Sequence, residues 1–298
     1  KSPSDGVITG YGQIDGRPVY IYSQDISVLN GTMGEMHAGK ILRLYELAMK
    51  TGDPVIGLLD CGGIRLEEGV DGLHAFGRIY KAQTDASGVI PQIMAVYGMC
   101  GGGMALVPSL SDFTFMEQEK GHLFLSSPNA IPGNTEEKCD TSGASWRYAR
   151  GDADLTGTPE EISAKIRELI SYLPSNFEEE SFAADAGDLN ALQEDLQVWI
   201  EDPAQILLRV SDQENMFEVR PGFAPEMFAA LSRIGGYSVG VMANRSALYG
   251  PKGKEAEFPP VLTAKGASKA AKFLSFCDAF SIPVISMTNV TGLEASLS

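Results

Sequence analysis

Ile14-Asp15-Gly16-Arg17-Pro18-Val19-Tyr20-Ile21-Tyr22-Ser23-Gln24-Asp25 recurs in pattern as Ile234-Gly235-Gly236-Tyr237-Ser238-Val239-Gly240-Val241-Met242-Ala243-Asn244-Arg245, in each case a turn followed by a mainly apolar strand. Further on, Pro54-Val55-Ile56-Gly57-Leu58-Leu59-Asp60 recurs as Pro283-Val284-Ile285-Ser286-Met287-Thr288-Asn289. Each copy has a helical spacing between these two strands. Met36, Lys40, Leu44, Leu47 and Ala48, with Ile41 and Tyr45 beside them, carry it in the first copy, and Ala270, Ala271, Phe273, Leu274 and Cys277 carry it in the second. Internal repetition sets architecture before any local assignment. Strand, amphipathic helix and strand, twice over, predict an α/β fold with buried, largely parallel sheet.

Working outward, the first copy continues through a second helix over about 72–88, a strand over Pro91–Tyr97, a glycine run and a helix over roughly Pro159–Leu173. The first recurrence is offset by 220 residues (14 to 234) and the second by 229 (54 to 283), so the second copy has an insertion around 249–260, whose Gly, Pro and Lys content suits a loop. The second copy has only just passed its Pro-Val-Ile strand at Ser298, so the chain is expected to be a piece of a longer one. The expected domains are 1–175, an acidic linker over 176–205, and an incomplete repeat over 206–298.

Composition narrows the function. With 298 residues, 44% hydrophobic, the chain can bury one large core or two ordinary ones. No stretch approaches the roughly 20 apolar residues of a membrane span, and a cytoplasmic location is expected. A formal charge of −16 argues against nucleic acid as partner. Nine carboxylates without a Lys or Arg between Asn176 and Asp202 read as a solvated linker and helix face. Cys61, Cys100, Cys139 and Cys277 form no C-x-x-C pair, and His74 and His122 lack partners at ligand spacing, so no metal is expected.

Chemistry concentrates at two glycine turns, each just after an apolar strand: Asp60-Cys61-Gly62-Gly63-Ile64-Arg65 and Tyr97-Gly98-Met99-Cys100-Gly101-Gly102-Gly103-Met104. Glycine permits dihedrals that leave neighbouring N–H groups pointing outward. Two such turns at adjacent strand ends can converge on one carbonyl oxygen and stabilise an oxyanion. Neither a G-x-G-x-x-G fingerprint with its acid nor a P-loop is present. The bland alternative is that these glycines only allow tight strand–helix packing.

Ser2 to Gly10, Ser23-Gln24-Asp25, Gly34-Glu35-Met36-His37-Ala38-Gly39-Lys40-Ile41, Asp60 to Arg65, Gly88-Val89-Ile90-Pro91-Gln92 and Ser171 to Asn176 together resemble the carboxyltransferase subunits of biotin-dependent acyl-CoA carboxylases and decarboxylases. In the second half, Phe217-Glu218-Val219, Gly240 to Asn244 and Lys269-Ala270-Ala271-Lys272-Phe273 match the same family. The resemblance implies a duplicated crotonase-like (ClpP/crotonase) α/β fold whose active site lies between the first domain of one protomer and the second domain of another. It implies carboxyl transfer between biotin on a carrier protein and the α-carbon of a short-chain acyl-CoA, of the propionyl, acetyl or glutaconyl class. The implied catalytic groups are the backbone amides of Gly102 and Gly103. Gly62, Gly63, Ile64, Arg65 and Gly101 would contact the CoA ester, while biotin's own amide pair belongs to a later glycine loop of the second domain. Expected partners are the biotin carboxyl carrier protein, either biotin carboxylase or a membrane decarboxylase subunit, and further copies of the chain.

Departures also matter. The family's Asp-Val-Pro-Gly-Phe is Asn289-Val290-Thr291-Gly292-Leu293 here, and 127–141 differs from the propionyl-CoA carboxylase pattern, which leans toward the decarboxylase α-subunits. Where a crotonase-type hydratase carries Glu, Ala105 stands, and where a Clp-type protease has its Ser, Gly103 stands. The rivals are another crotonase-like CoA enzyme, such as a hydrolase, and a non-catalytic scaffold subunit. His37 reads as a structural histidine, Cys61 and Cys100 as packing residues, and Arg65 as either a ligand for a CoA phosphate or an ion-pair partner of Glu67 or Glu68.

Overall fold

The computed structural model describes residues 4–126, 140–179, 188, 190, 192–193 and 196–294. It divides into two compact units, Lys1–Ser171 with Ser175–Phe177, and Tyr172–Pro174 with Glu178–Ser298.

In the first unit β1 (Val7–Ile14) turns at Asp15-Gly16 into antiparallel β2 (Arg17–Gln24). Both turn residues have positive φ, the geometry that suits the twist of a two-residue hairpin. After β3 (Thr32–Met33) comes α1 (Glu35–Thr51), which buries His37, Ala38, Ile41, Leu44, Tyr45 and Ala48 along one face and ends on left-handed Gly52. β4 (Val55–Cys61) then pairs parallel to β2, followed by β5 (Gly63–Ile64), α2 (Val70–Ala86) and β6 (Gln92–Gly101), which pairs parallel to β4. Beyond β6 the chain forms a 3-10 turn, Gly102–Ala105, that runs into α3 (Leu106–Ser109), then β7 (Phe113–Glu117), β8 (His122–Phe124), α4 (Ala144–Arg150), β9 (Leu155–Gly157) and α5 (Pro159–Tyr172). The sheet order is β1-β2-β4-β6-β7-β9, with β8 also on β6. Val55, Ile56, Leu59, Ile93, Met94, Ala95 and Val96 are almost wholly buried, as central strands covered on both faces require.

The second unit repeats this plan. After α6 (Pro203–Val210) and β10 (Met216–Glu218), β11 (Met227–Ile234) turns at Gly235-Gly236 into β12 (Tyr237–Asn244). β13 (Ala247–Gly250), β14 (Gly253–Glu257) and β15 (Val261–Leu262) lead to α7 (Ala264–Ala279), and β16 (Val284–Met287) pairs parallel to β12, with β17 (Gly292–Leu293) on β15. Register confirms the repeat: Tyr20 opposes Val55 in the first unit, and Gly240 opposes Val284 in the second. Phe228, Val241 and Leu207 are core residues of this unit.

Two expectations need correction. The insertion read as a loop over 249–260 contains the hairpin β13–β14. Its Gly and Pro content reflects a tight turn, and Lys254 on β14 reaches Glu201 and Glu257. The strand expected to end at Tyr97 runs on to Gly101, because Met99, Cys100 and Gly101 pair with β8. Most of the acidic linker, 180–187 with 189, 191, 194 and 195, and the departure at 127–139 lie outside the described residues.

Candidate functional site

The two glycine turns lie where adjacent strands run out. β4 delivers Gly62 and β5, and β6 delivers the 3-10 turn. A Cβ on Gly63 would lie 3.3 Å from the Gly101 carbonyl oxygen, and one on Gly101 would lie 3.6 Å from that of Gly62. The structure therefore brings Gly62, Gly63, Ile64, Gly101, Gly102 and Gly103 together. Gly63 and Gly102 have φ of 117° and 59°, where any side chain is strained. Above Gly102 the space is open, since a Cβ there would meet no heavy atom within 4 Å. In a 3-10 turn the amides ahead of the first i→i+3 bond, here those of Gly102 and Gly103, have no acceptor within the turn itself.

Side chains hold this backbone from behind. The Tyr80 hydroxyl donates to the Gly103 carbonyl at 2.6 Å, and a Cβ on Gly103 would come within 2.8 Å of that hydroxyl. Burial raises the Tyr80 phenol, so it remains a donor. Cys61 Sγ donates to the Gly63 carbonyl at 3.5 Å and Cys100 Sγ to that of Met104 at 3.4 Å. Burial pushes the Cys61 thiol up to about 11 and the Cys100 thiol well above its ordinary value, which leaves both protonated and unsuited to nucleophilic attack.

Arg65 does not share the open face of the turn. Its side chain is 9% exposed, and Nη1 donates to Asp5 at 2.9 Å and Glu68 at 2.8 Å, while Nη2 donates to the Thr32 carbonyl at 2.8 Å. These contacts are those of the ion-pair reading, with Glu68 as a partner named from sequence and Asp5 as one distant in it. Glu67 is not part of this cluster. His37 is wholly buried. Its Nδ1 lies 2.9 Å from the Asp5 carbonyl oxygen and its Nε2 3.1 Å from Gln24 Nε2. An amide NH2 can only donate, so Nε2 accepts and Nδ1–H donates. Desolvation lowers its pKa to about 4. A ring that is neutral, buried and bonded at both nitrogens offers no free base. His74 is exposed, and His122 Nδ1 lies 2.9 Å from Ser142 Oγ. No group of His, Cys, Asp and Glu among the described residues could hold a metal ion. No described helix is long and apolar enough to cross a membrane.

Tyr80 and Asp60 were not singled out by sequence. Tyr80 stands one helical turn beyond Phe76 on α2, a spacing that marks a shared face. Asp60 is the sole carboxylate in the apolar run Val55–Cys61.

Residues 1–297 match the family model described as the carboxyl transferase domain. The chain is 38% identical to the propionyl-CoA carboxylase beta chain of Saccharopolyspora erythraea over 97% of its own length and 55% of that protein. It is 37% identical to the methylmalonyl-CoA decarboxylase subunit alpha of Veillonella parvula over 97% of its length and 58% of that one. Among solved structures, transcarboxylase 12S, a hexamer crystallised with methylmalonyl-CoA, superposes with a TM-score of 0.88 at 31% identity, covering 98% of this chain and 57% of that one. The chain thus spans little more than half the length of these relatives. The crotonase-like α/β class expected from sequence is that of these carboxyltransferases. This chain belongs to the carboxyl transferase domain family.

Proposed function

We propose that the protein containing this chain transfers a carboxyl group between biotin on a carrier protein and the α-carbon of a short-chain acyl-CoA, and that this chain holds the thioester. The observation that carries the reading is the meeting of two glycine turns at the ends of β4 and β6, with open space over Gly102. The amides of Gly102 and Gly103 donate to the thioester oxygen as it gains charge in the enolate, and Gly62, Gly63, Ile64 and Gly101 form the adjoining wall. Donors fixed in advance stabilise such charge without reorganisation, and loss of one typically costs about 100- to 1,000-fold in rate. Carboxybiotin, when bound, supplies the carboxyl group and a ureido nitrogen able to take the α-proton. In the second unit the glycine pair Gly235-Gly236 forms the corner of the β11–β12 hairpin, and no step on biotin is assigned to this chain. The same amides serve decarboxylation, the activity named for the Veillonella relative.

Partners fitting this reading are a biotin carboxyl carrier protein, either biotin carboxylase or a membrane decarboxylase subunit, and further copies of the protein, in the cytoplasm. The test is exchange of labelled carboxyl between methylmalonyl-CoA and biotin in the full-length protein. Exchange that disappears in Gly103→Ala is the expected result. Thioester hydrolysis without exchange would favour a crotonase-like hydrolase, and failure to bind acyl-CoA would favour a scaffold subunit.

A further inference from the structure

We propose that Asp60 is a positioning residue that sets the spacing between the two glycine turns, and hence the geometry with which their amides meet the thioester oxygen. This inference rests on the oxyanion reading above. Between β4 and β6 the ladder runs in register up to Leu59 opposite Val96 and resumes at Cys61 opposite Cys100. Asp60 alone therefore faces Tyr97, Gly98 and Met99, an irregularity placed directly before both turns. An interrupted ladder leaves backbone groups that need other partners. The Asp60 carboxylate supplies one, accepting the Met99 N–H at 3.0 Å. On the other side of β4, pairing with β2 ends at Ser23 opposite Leu58, and the Asp60 N–H is turned to the Gln24 side-chain carbonyl at 3.3 Å.

Residue 60 thus replaces the ladder on both flanks of the strand that carries Gly62 and Gly63. The space beside β6 is shaped for its carboxylate: a Cβ on Gly98 would fall within 2.6 Å of the carboxyl carbon, so only glycine lets the group lie there. Gln24 extends the clasp to His37 and, through its amide, to Met104 Sδ at 3.9 Å, inside the second turn. Removing the carboxylate frees the Met99 peptide and lets Gly101–Gly103 drift relative to Gly62–Ile64. Displacements of about 1 Å in such sites cost on the order of 100-fold in rate.

The experiment uses the full-length protein with Asp60→Ala, Asp60→Glu and Asp60→Asn, and propionyl-CoA labelled with 13C at the thioester carbonyl. Infrared difference spectra at saturating ligand read the polarisation of that carbonyl, and steady-state carboxylation reads kcat and KM. In the wild type, binding moves the carbonyl band to lower wavenumber. The Ala and Glu variants are expected to lose most of this shift and roughly 10- to 100-fold in kcat, with KM for propionyl-CoA within about twofold. Asn keeps an acceptor oxygen for Met99 and restores both. Should Ala fail to fold, Glu still carries the test, since it keeps the charge but misplaces the oxygen. A full shift and unchanged kcat in Ala and Glu, or an Asn variant as impaired as Ala, overturns the role of Asp60. A wild-type complex without any carbonyl shift instead overturns the oxyanion reading itself.

Discussion

The buried imidazole of His37 makes the first unit sensitive to acid by an amount that can be worked out. Its folded pKa is lowered from 6.5 to about 4, first by desolvation and then through Arg65 and Lys40, against opposing contributions from Asp5. The unfolded chain therefore takes up the proton first. Stability from this group is complete above pH 6.5 and is lost as pH falls toward 4. A difference of about 2.5 units corresponds to about 3 kcal/mol in total, of which about 2 kcal/mol is lost by pH 5. The structural reason is specific: a protonated ring has N–H at both positions, so Nε2–H would confront the Gln24 amide NH2 3.1 Å away. Rotating that amide would in turn set its NH2 against the Asp60 N–H, 3.3 Å from its present acceptor. His37→Gln removes the titration while keeping a donor for the Asp5 carbonyl and an acceptor for Gln24. Each unit has one tryptophan, Trp146 in the first and Trp199 in the second. Urea unfolding in a Trp199→Phe background then reports on the first unit alone. Between pH 7.5 and 5.0 the parent should lose about 2 kcal/mol more than the His37→Gln variant, roughly 1 M in urea midpoint. Asp60, whose carboxyl is raised chiefly by burial, works in the opposite sense and is common to both proteins. Equal losses in the two would refute the neutral, doubly bonded histidine.

Three further outcomes follow from the same contacts. Gly103→Ala drives a Cβ against the Tyr80 hydroxyl and the Phe76 ring; carboxyl transfer in the full-length protein should fall at least about 100-fold, with a stability loss of about 1–3 kcal/mol in chemical denaturation. Arg65→Ala removes the guanidinium donor from Asp5, the Thr32 carbonyl and Glu68, which keeps the Glu35 N–H, so unfolding titrations should show a loss of about 3 kcal/mol; equal calorimetric affinity loss for acyl-CoA and its 3′-dephospho form is expected, and a loss confined to the phosphorylated ligand would support the phosphate role. Lys269, buried in α7, donates to the carbonyls of Arg220 at 2.9 Å and Phe223 at 3.0 Å; Lys269→Met should destabilise the second unit by about 2–3 kcal/mol, read from Trp199 fluorescence.

What could be read from sequence, and what could not, divides along the range of the interactions involved. The repeated hairpin, helix and strand rest on turn residues at fixed offsets and on apolar periodicity, both local signals, so Asp15-Gly16 and Gly235-Gly236 mark the same corner twice. The glycine turns announce themselves because an amide-presenting backbone tolerates few other residues. Hidden from that reading are β8, whose pairing with Met99–Gly101 spans a sequence gap, and the Asp5 partner of Arg65, 60 residues away, whereas Glu68 was among the partners named from sequence. The hairpin at 247–257 was obscured because Gly and Pro punctuate a tight turn and a loop alike.

Asp60 shows where the boundary can be moved. In the run Val55-Ile56-Gly57-Leu58-Leu59-Asp60-Cys61 every other position suits a covered strand. A carboxylate at such a place costs several kcal/mol unless a donor meets it. Its presence therefore implies an unpaired backbone N–H on a neighbouring strand, and an unpaired N–H implies a break in the ladder. The break lies at Asp60, two residues before Gly62, where a chain that must turn two strand ends toward one oxygen departs from regular pairing. A single polar residue closing an apolar strand is, on this reasoning, a sequence signal for the part of a backbone site that the glycines do not announce: the device that holds them in place.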